Sequence, residues 1–166
     1  TEARSASHFG RVRVETDEHA EYYSDSLAFG GQLARIDLDV TLGGRGARCR
    51  LNGLFVADGT QHIDHHTRIE HAVGDTHSEE LYRGSLDGRR RVVFNGKVVV
   101  AKNAQQISAR QASNNLLLSR QAEIDTKPEL EIYADDVVCG HGSTAAELDE
   151  DLLFYLMARG IPRAQA

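Results

Sequence analysis

The sequence predicts an all-β domain, and three observations carry the prediction: short apolar and polar alternations, turn signals between them, and a clear helical period only near the end. The alternations include Val12-Arg13-Val14, the run from Ala34 to Val40, Cys49-Arg50-Leu51-Asn52, Leu54-Phe55-Val56 and Val98-Val99-Val100. Gly30-Gly31, Gly43-Gly44, Asn52-Gly53, Asp58-Gly59, Asp87-Gly88 and Asn95-Gly96 read as the turns that separate them. Such steps serve equally as hairpin turns of a sandwich and as corners of a solenoid of stacked parallel strands. No clean repeat period separates the two, so the residues leave sandwich and parallel β-helix level.

The segment from Gln61 to His77 carries His62, His65, His66, His71 and His77. On one strand, His62, Asp64, His66 and Glu70 share a face, while Ile63, His65, Thr67, Ile69, His71 and Val73 share the other. The second set is the more apolar, which places His65 and His71 toward the core and His62 and His66 toward solvent. His62, Asp64 and His66 could hold zinc or iron(II), with Glu70 as a general base, in a mononuclear metal enzyme. A polar outer strand face is the plainer reading, and the spacing is not that of a zinc protease.

Gly43-Gly44-Arg45-Gly46-Ala47-Arg48 is neither a Walker A loop nor a dinucleotide fingerprint, so no ATP site is expected in this chain. Arg89, Arg90 and Arg91 follow Asp87-Gly88 and read as a solvated turn. Between Ala101 and Ser119 lie Gln105, Gln106, Gln111, Asn114 and Asn115, suited to amide pairing between stacked rungs. A helix from Ala104 to Leu118 is the alternative.

After Asp149, an expected N-cap, Leu152, Leu153, Leu156 and Met157 recur at helical spacing. Glu150 and Asp151 suit the first turn, Arg159 the last, and Gly160 the stop, so a helix is expected from Glu150 to Arg159. The chain divides accordingly into a β domain over 1–147 and the start of a helical region over 148–166. A helix of this length is marginal alone and needs a surface for its apolar face.

The 166 residues suffice for one domain with a core, and 40% hydrophobic with 27% charged residues points neither to disorder nor to a membrane span. No apolar run approaches bilayer length, and the expectation is a cytoplasmic protein. The net charge of −6 argues against a general nucleic-acid binder. Aromatic residues make up 6%, too few for the stacking platforms of a carbohydrate-active β-helix. The two cysteines, Cys49 and Cys139, show no CxxC pattern and suggest reduced thiols, although one long-range disulfide remains compatible with the spacing.

Cys139 and His141, in the run EIDTKPELEIYADDVVCGHGST from Glu123 to Thr144, share one face if that run is a strand. Side by side, a thiol and an imidazole make half of a metal site, because zinc and iron–sulfur centres usually take four ligands. A lone cysteine in a β-rich core is otherwise a small buried hydrophobe.

That run, with NNLLLS (Asn114 to Ser119) and LDEDLLFYLMARGI (Leu148 to Ile161), closely resembles the SufD family of the SUF iron–sulfur cluster assembly machinery. The resemblance extends through LNGLFVADGTQHIDHHTRIEHAV (Leu51 to Val73) and LYRGSLDGRRRVVFNGKVVV (Leu81 to Val100). It implies a right-handed parallel β-helix with a short C-terminal helix, and a scaffold subunit rather than an enzyme. It also implies that His141 and Cys139 face a SufB subunit across the site of a nascent iron–sulfur cluster, with Tyr133 and Val137 in the same interface. The family pattern further places the SufC ATPase against Leu148, Leu152, Leu153, Leu156 and Met157. No cofactor is expected to bind tightly to this chain alone, and a reduced flavin is open as a cofactor of the complex. Pairing of two copies when SufB is absent is also open, since exposed strand edges seek partners. Family members carry further helical segments at both ends, so the chain reads as a core fragment.

Overall fold

In a β-strand, side chains alternate between two faces. When both faces of a rung are used, one set fills a narrow interior and the other meets water. The computed structural model describes residues 5–57, 61–88, 91–163 and 165. It contains ten strands: β1 Ser7–Thr16, β2 Glu21–Ala28, β3 Leu33–Leu42, β4 Arg48–Ala57, β5 His62–His71, β6 His77–Leu86, β7 Arg91–Val100, β8 Ile107–Leu117, β9 Glu123–Ile132 and β10 Val137–Glu147. One helix, α1 Glu150–Met157, follows them.

Odd-numbered strands form one sheet in the order β1-β3-β5-β7-β9, and even-numbered strands form the other in the order β10-β8-β6-β4-β2. Every neighbouring pair is parallel. The chain therefore winds as a β-solenoid of about five turns, which decides between the sandwich and the solenoid. Along the first sheet the register steps by 26, 29, 29 and 32 residues, from Ser7 to Leu33, His62, Arg91 and Glu123. Corners of unequal length produce this drift and hide the period.

Buried residues occupy every second position of the inner strands. Phe55, Tyr82 and Phe94 stack in the centre, with ring centroids 5.5 Å and 4.4 Å apart. Each such fully buried side chain contributes about 1.5–3 kcal/mol from removal of its apolar surface from water. His65 and His71 point inward as the alternation predicts. The ring of His71 is 2.7 Å from Thr76 Oγ1 and 3.0 Å from Ser78 Oγ, so both nitrogens are partnered by hydroxyls. His65 packs edge-on to Phe55 at 4.8 Å. Burial lowers both imidazoles to about 4, and they are neutral structural groups near pH 7.

Two expected turns are strand interiors. Asn52-Gly53 lies within β4 and Asn95-Gly96 within β7. A Cβ on Gly53 would strike the Tyr82 ring, and one on Gly96 would strike the Gln111 amide. These glycines make room for large neighbours from the adjacent rung or the opposite sheet. Gly31 and Gly88 do stand at corners, with φ of 75° and 80°. The Asp58-Gly59 turn and Arg89-Arg90 lie outside the described residues, and Arg91 opens β7 and pairs with Asp125 at 2.8 Å.

The helix considered for Ala104 to Leu118 is strand β8. Its amides do not form an Asn/Gln ladder, because the adjacent rungs present other groups. Gln111 donates to Glu80 at 2.5 Å, and Asn114 accepts from Thr144 at 3.0 Å.

Asp149 caps α1, accepting from the backbone N–H groups of Asp151 and Leu152. The helix ends at Met157 rather than Arg159, because Ala158 takes the cap position and Gly160 turns away with φ of 85°. Leu153 is its buried residue and Leu156 is half-buried, while Leu152, Phe154 and Met157 are 63%, 73% and 42% exposed. Only part of the expected apolar face is buried.

Candidate functional site at the last rung

β10 is the edge strand of its sheet and takes its register from β8 alone. The parallel register extends two interior rows into it. One runs Cys49, Ser78, Ala109, Cys139; the other runs Leu51, Glu80, Gln111, His141. Cys139 and His141 thus continue the inner face onto the final turn, where no further strand covers them. Gln111 is 3% exposed one rung earlier, whereas His141 is exposed and Cys139 half-buried. Thr126 of β9 and Ser143 of β10 are joined at 2.6 Å between their hydroxyls, closing this rung across the interior.

The same-face placement expected for Cys139 and His141 holds, and both sit at the rim. Burial raises the Cys139 thiol above its ordinary range, opposed by a hydrogen bond from the Ala109 backbone. The thiol is consequently protonated near neutral pH until a metal or a cationic neighbour favours the thiolate. Gly140 and Gly142 flank His141, and nothing lies within 4 Å of where their side chains would begin. A hollow of about 700 Å³ runs beside this edge, bounded by Arg50, Glu79, Arg110, Gly140 and His141. Arg50 is tied to Glu79 at 3.2 Å.

Cys49 is buried, and burial together with Glu80 pushes its thiol up to about 12. Three strand spacings of about 4.8 Å separate it from Cys139 along the row, well beyond the Cα separation of about 4.4–6.8 Å that a disulfide spans. Both cysteines are free.

Of the other expected contact residues, Tyr133 is 62% exposed and Val137 packs partly on the core. Leu148 is 42% exposed just before the helix. His62, Asp64 and His66 do share the outer face of β5, but Asp64 is engaged by Arg35 at 2.8 Å and lies 2.8 Å from His66 Nε2. Among the described residues no group of three or more His, Cys, Asp or Glu side chains is arranged to hold a metal. Neither does any described helix have the length and apolarity to cross a membrane.

Residues 1–166 match the family described as SUF system FeS cluster assembly, SufBD core domain. The chain belongs to the SufBD core family. It is similar to the iron-sulfur cluster assembly protein SufD of Escherichia coli (strain K12), with 37% identity over 96% of this chain and 38% of that protein. The SufBD family protein slr0076 of Synechocystis is 35% identical over 93% of this chain and 34% of its own length. Protein ABCI7, chloroplastic, of Arabidopsis thaliana is 34% identical over 96% of this chain and 34% of its length. The chain thus spans between a third and two fifths of these relatives, and its family places it in iron–sulfur cluster assembly.

Sequence reasoning overlooked Glu80, and read Gln111 as pairing with other amides rather than with a carboxyl. A signal existed: Glu80 stands in phase with Ser78, Tyr82 and Leu86, which alternation turns inward. A charged residue at an inward position asks for a partner from another strand.

Proposed function

We propose that this SufBD core is the SufD-type scaffold half of a cluster assembly site, pairing through its last rung with a SufB subunit. One observation carries the reading: Cys139 and His141 stand together, accessible, on the inner face of an unpaired edge strand. A thiol and an imidazole supply too few ligands for a cluster, so the remainder come from a partner that covers the same edge. Tyr133 and Val137 border this contact. The nascent iron–sulfur cluster is the cargo assembled there, and His141 offers a ring-nitrogen lone pair to iron.

The exposed side chains of α1, with Leu148, dock the SufC ATPase in this reading. Leu153 and Leu156 anchor the helix, while Leu152 and Met157 face the partner. ATP binding in SufC shifts the pair between closed and open arrangements, admitting iron and sulfur to the interface. The assembly works in the cytoplasm and this chain turns over no substrate of its own.

The test is anaerobic iron and sulfide reconstitution of the full-length protein with SufB and SufC, comparing wild type with His141→Ala. An intact complex that loses iron and sulfide is the expected result. Equal loading by both would leave the chain as an architectural partner only. Failure to form a complex with SufB, with two copies of this chain pairing through β10 instead, would overturn the heterodimer.

A further inference from the structure

The interior row that ends at His141 contains a carboxyl group in an unusual place. Glu80 is 3% exposed, and Gln111, between it and His141 in the register, is equally buried. The Gln111 amide donates to Glu80 Oε2 at 2.5 Å. Glu80 Oε1, Gln111 Oε1 and the nearby Thr67 Oγ1 have no hydrogen-bond partner among the described residues. Three acceptor-capable oxygens left over in one interior call for hydrogen-bond donors, and a proton on the carboxyl supplies one. Gly96 opposite leaves the space, since a side chain there would displace the Gln111 amide.

The groups facing Glu80 carry no charge that would neutralise an anion. From β4 comes the Cys49 thiol, held protonated, and from β6 the Tyr82 phenol, which burial also keeps protonated. β8 contributes Gln111. From the opposite sheet comes the uncharged Thr67 hydroxyl. Burial pushes the Glu80 carboxyl up to about 7, against the pull of the Gln111 hydrogen bond, so it changes state in the physiological range.

We infer that Glu80, held by the Gln111 amide, forms a buried charge relay behind His141: a cation arriving at His141 drives Glu80 to release its proton. In that step the carboxyl O–H bond breaks, its electron pair stays on the carboxylate, and the proton passes to bulk water. The carboxylate then offsets part of the charge of the incoming iron, which is substrate here. Glu80 acts through space on the charge at His141 and is a positioning residue, not a ligand. The inference rests on the reading of His141 as the iron-receiving end.

Two strand spacings separate Glu80 from His141, about 10 Å. At an effective dielectric constant of about 20, one positive charge at that distance lowers a carboxyl midpoint by about one pH unit. The experiment follows the ¹³C carboxyl resonance of Glu80 through a pH titration in His141→Gln and His141→Lys chains, with backbone spectra confirming the fold. The lysine variant is expected to titrate lower by about one pH unit. Coincident midpoints would overturn the relay.

A second arm measures iron loading of the full assembly between pH 6 and 8, where Glu80→Gln should flatten the wild-type profile. An unchanged profile counts against the relay. Loss of loading in His141→Ala with coincident midpoints leaves the assembly reading standing and removes the relay. Normal loading in His141→Ala removes the assembly reading whatever the midpoints do.

Discussion

The ring of Tyr82 occupies the space where Gly53, its register partner on the neighbouring strand, would carry a side chain. Tyr82 is 1% exposed, stacks on Phe94 and fills the middle of the solenoid. A small residue on one rung thus permits a large one on the next, which keeps a narrow interior at close packing.

Gly53→Ala should therefore lower stability by about 2–4 kcal/mol, since overpacking here meets an aromatic ring held on both faces. Combining it with Tyr82→Ala should cost less than the sum of the single changes, because the clash is gone in the double variant. Urea unfolding of the four proteins measures the coupling. Strict additivity would mean that Gly53 is not there for Tyr82.

Stability should depend on pH through two opposing sets of buried groups. His65 and His71 titrate near 4 in the folded state against about 6.5 unfolded, so their contribution is present above pH 6.5 and is lost as pH falls through 4. Glu80 is displaced the other way, to about 7 from 4.5, so its contribution is present below pH 4.5 and is lost as pH rises through 7. Wild-type stability should peak near pH 6.5. Glu80→Gln keeps an acceptor for Gln111 and removes the charge, so it should match wild type near pH 4.5 and exceed it by up to about 3 kcal/mol at pH 8. Denaturant midpoints at the two pH values decide it, and a less stable Glu80→Gln at pH 8 refutes the assignment.

His141 is exposed between two glycines, so its loss should leave the fold alone. His141→Ala is expected to change unfolding free energy by no more than about 0.5 kcal/mol, as for surface sites without special contacts. Cys139→Ser, half-buried against the core, should cost more, about 1 kcal/mol. Calorimetry beside the reconstitution assay separates a ligand role from a structural one. A large drop in the melting temperature of His141→Ala would make its assembly defect uninterpretable as ligand loss and count against the proposal.

On α1, Leu152→Asp and Met157→Asp should leave the melting temperature within about 1 °C of wild type, because these side chains are exposed. Leu153→Asp, which puts a carboxylate at the buried position of the helix, should lower the melting temperature. Under the proposed docking, the two exposed substitutions should weaken SufC binding at least tenfold by titration calorimetry. Unchanged affinity would move the ATPase contact elsewhere.

Much of this was legible along the chain. Alternation with period two is a local property, so it alone determined that the chain is β-rich, that His65 and His71 turn inward, and that Cys139 and His141 share a face. Asp149 and the leucine spacing likewise announced α1, because capping involves only the next few residues. Which strands become neighbours is not local. Only the tertiary structure decided the parallel stacking, since register steps of 26 to 32 residues blur any period. It also placed Asn52-Gly53 and Asn95-Gly96 inside strands, where the reason for glycine is a side chain from a neighbouring rung or the facing sheet. Glu80 met Gln111, and His141 reached an uncovered rim, for the same reason: corner lengths set register, and register brings together residues some thirty positions apart.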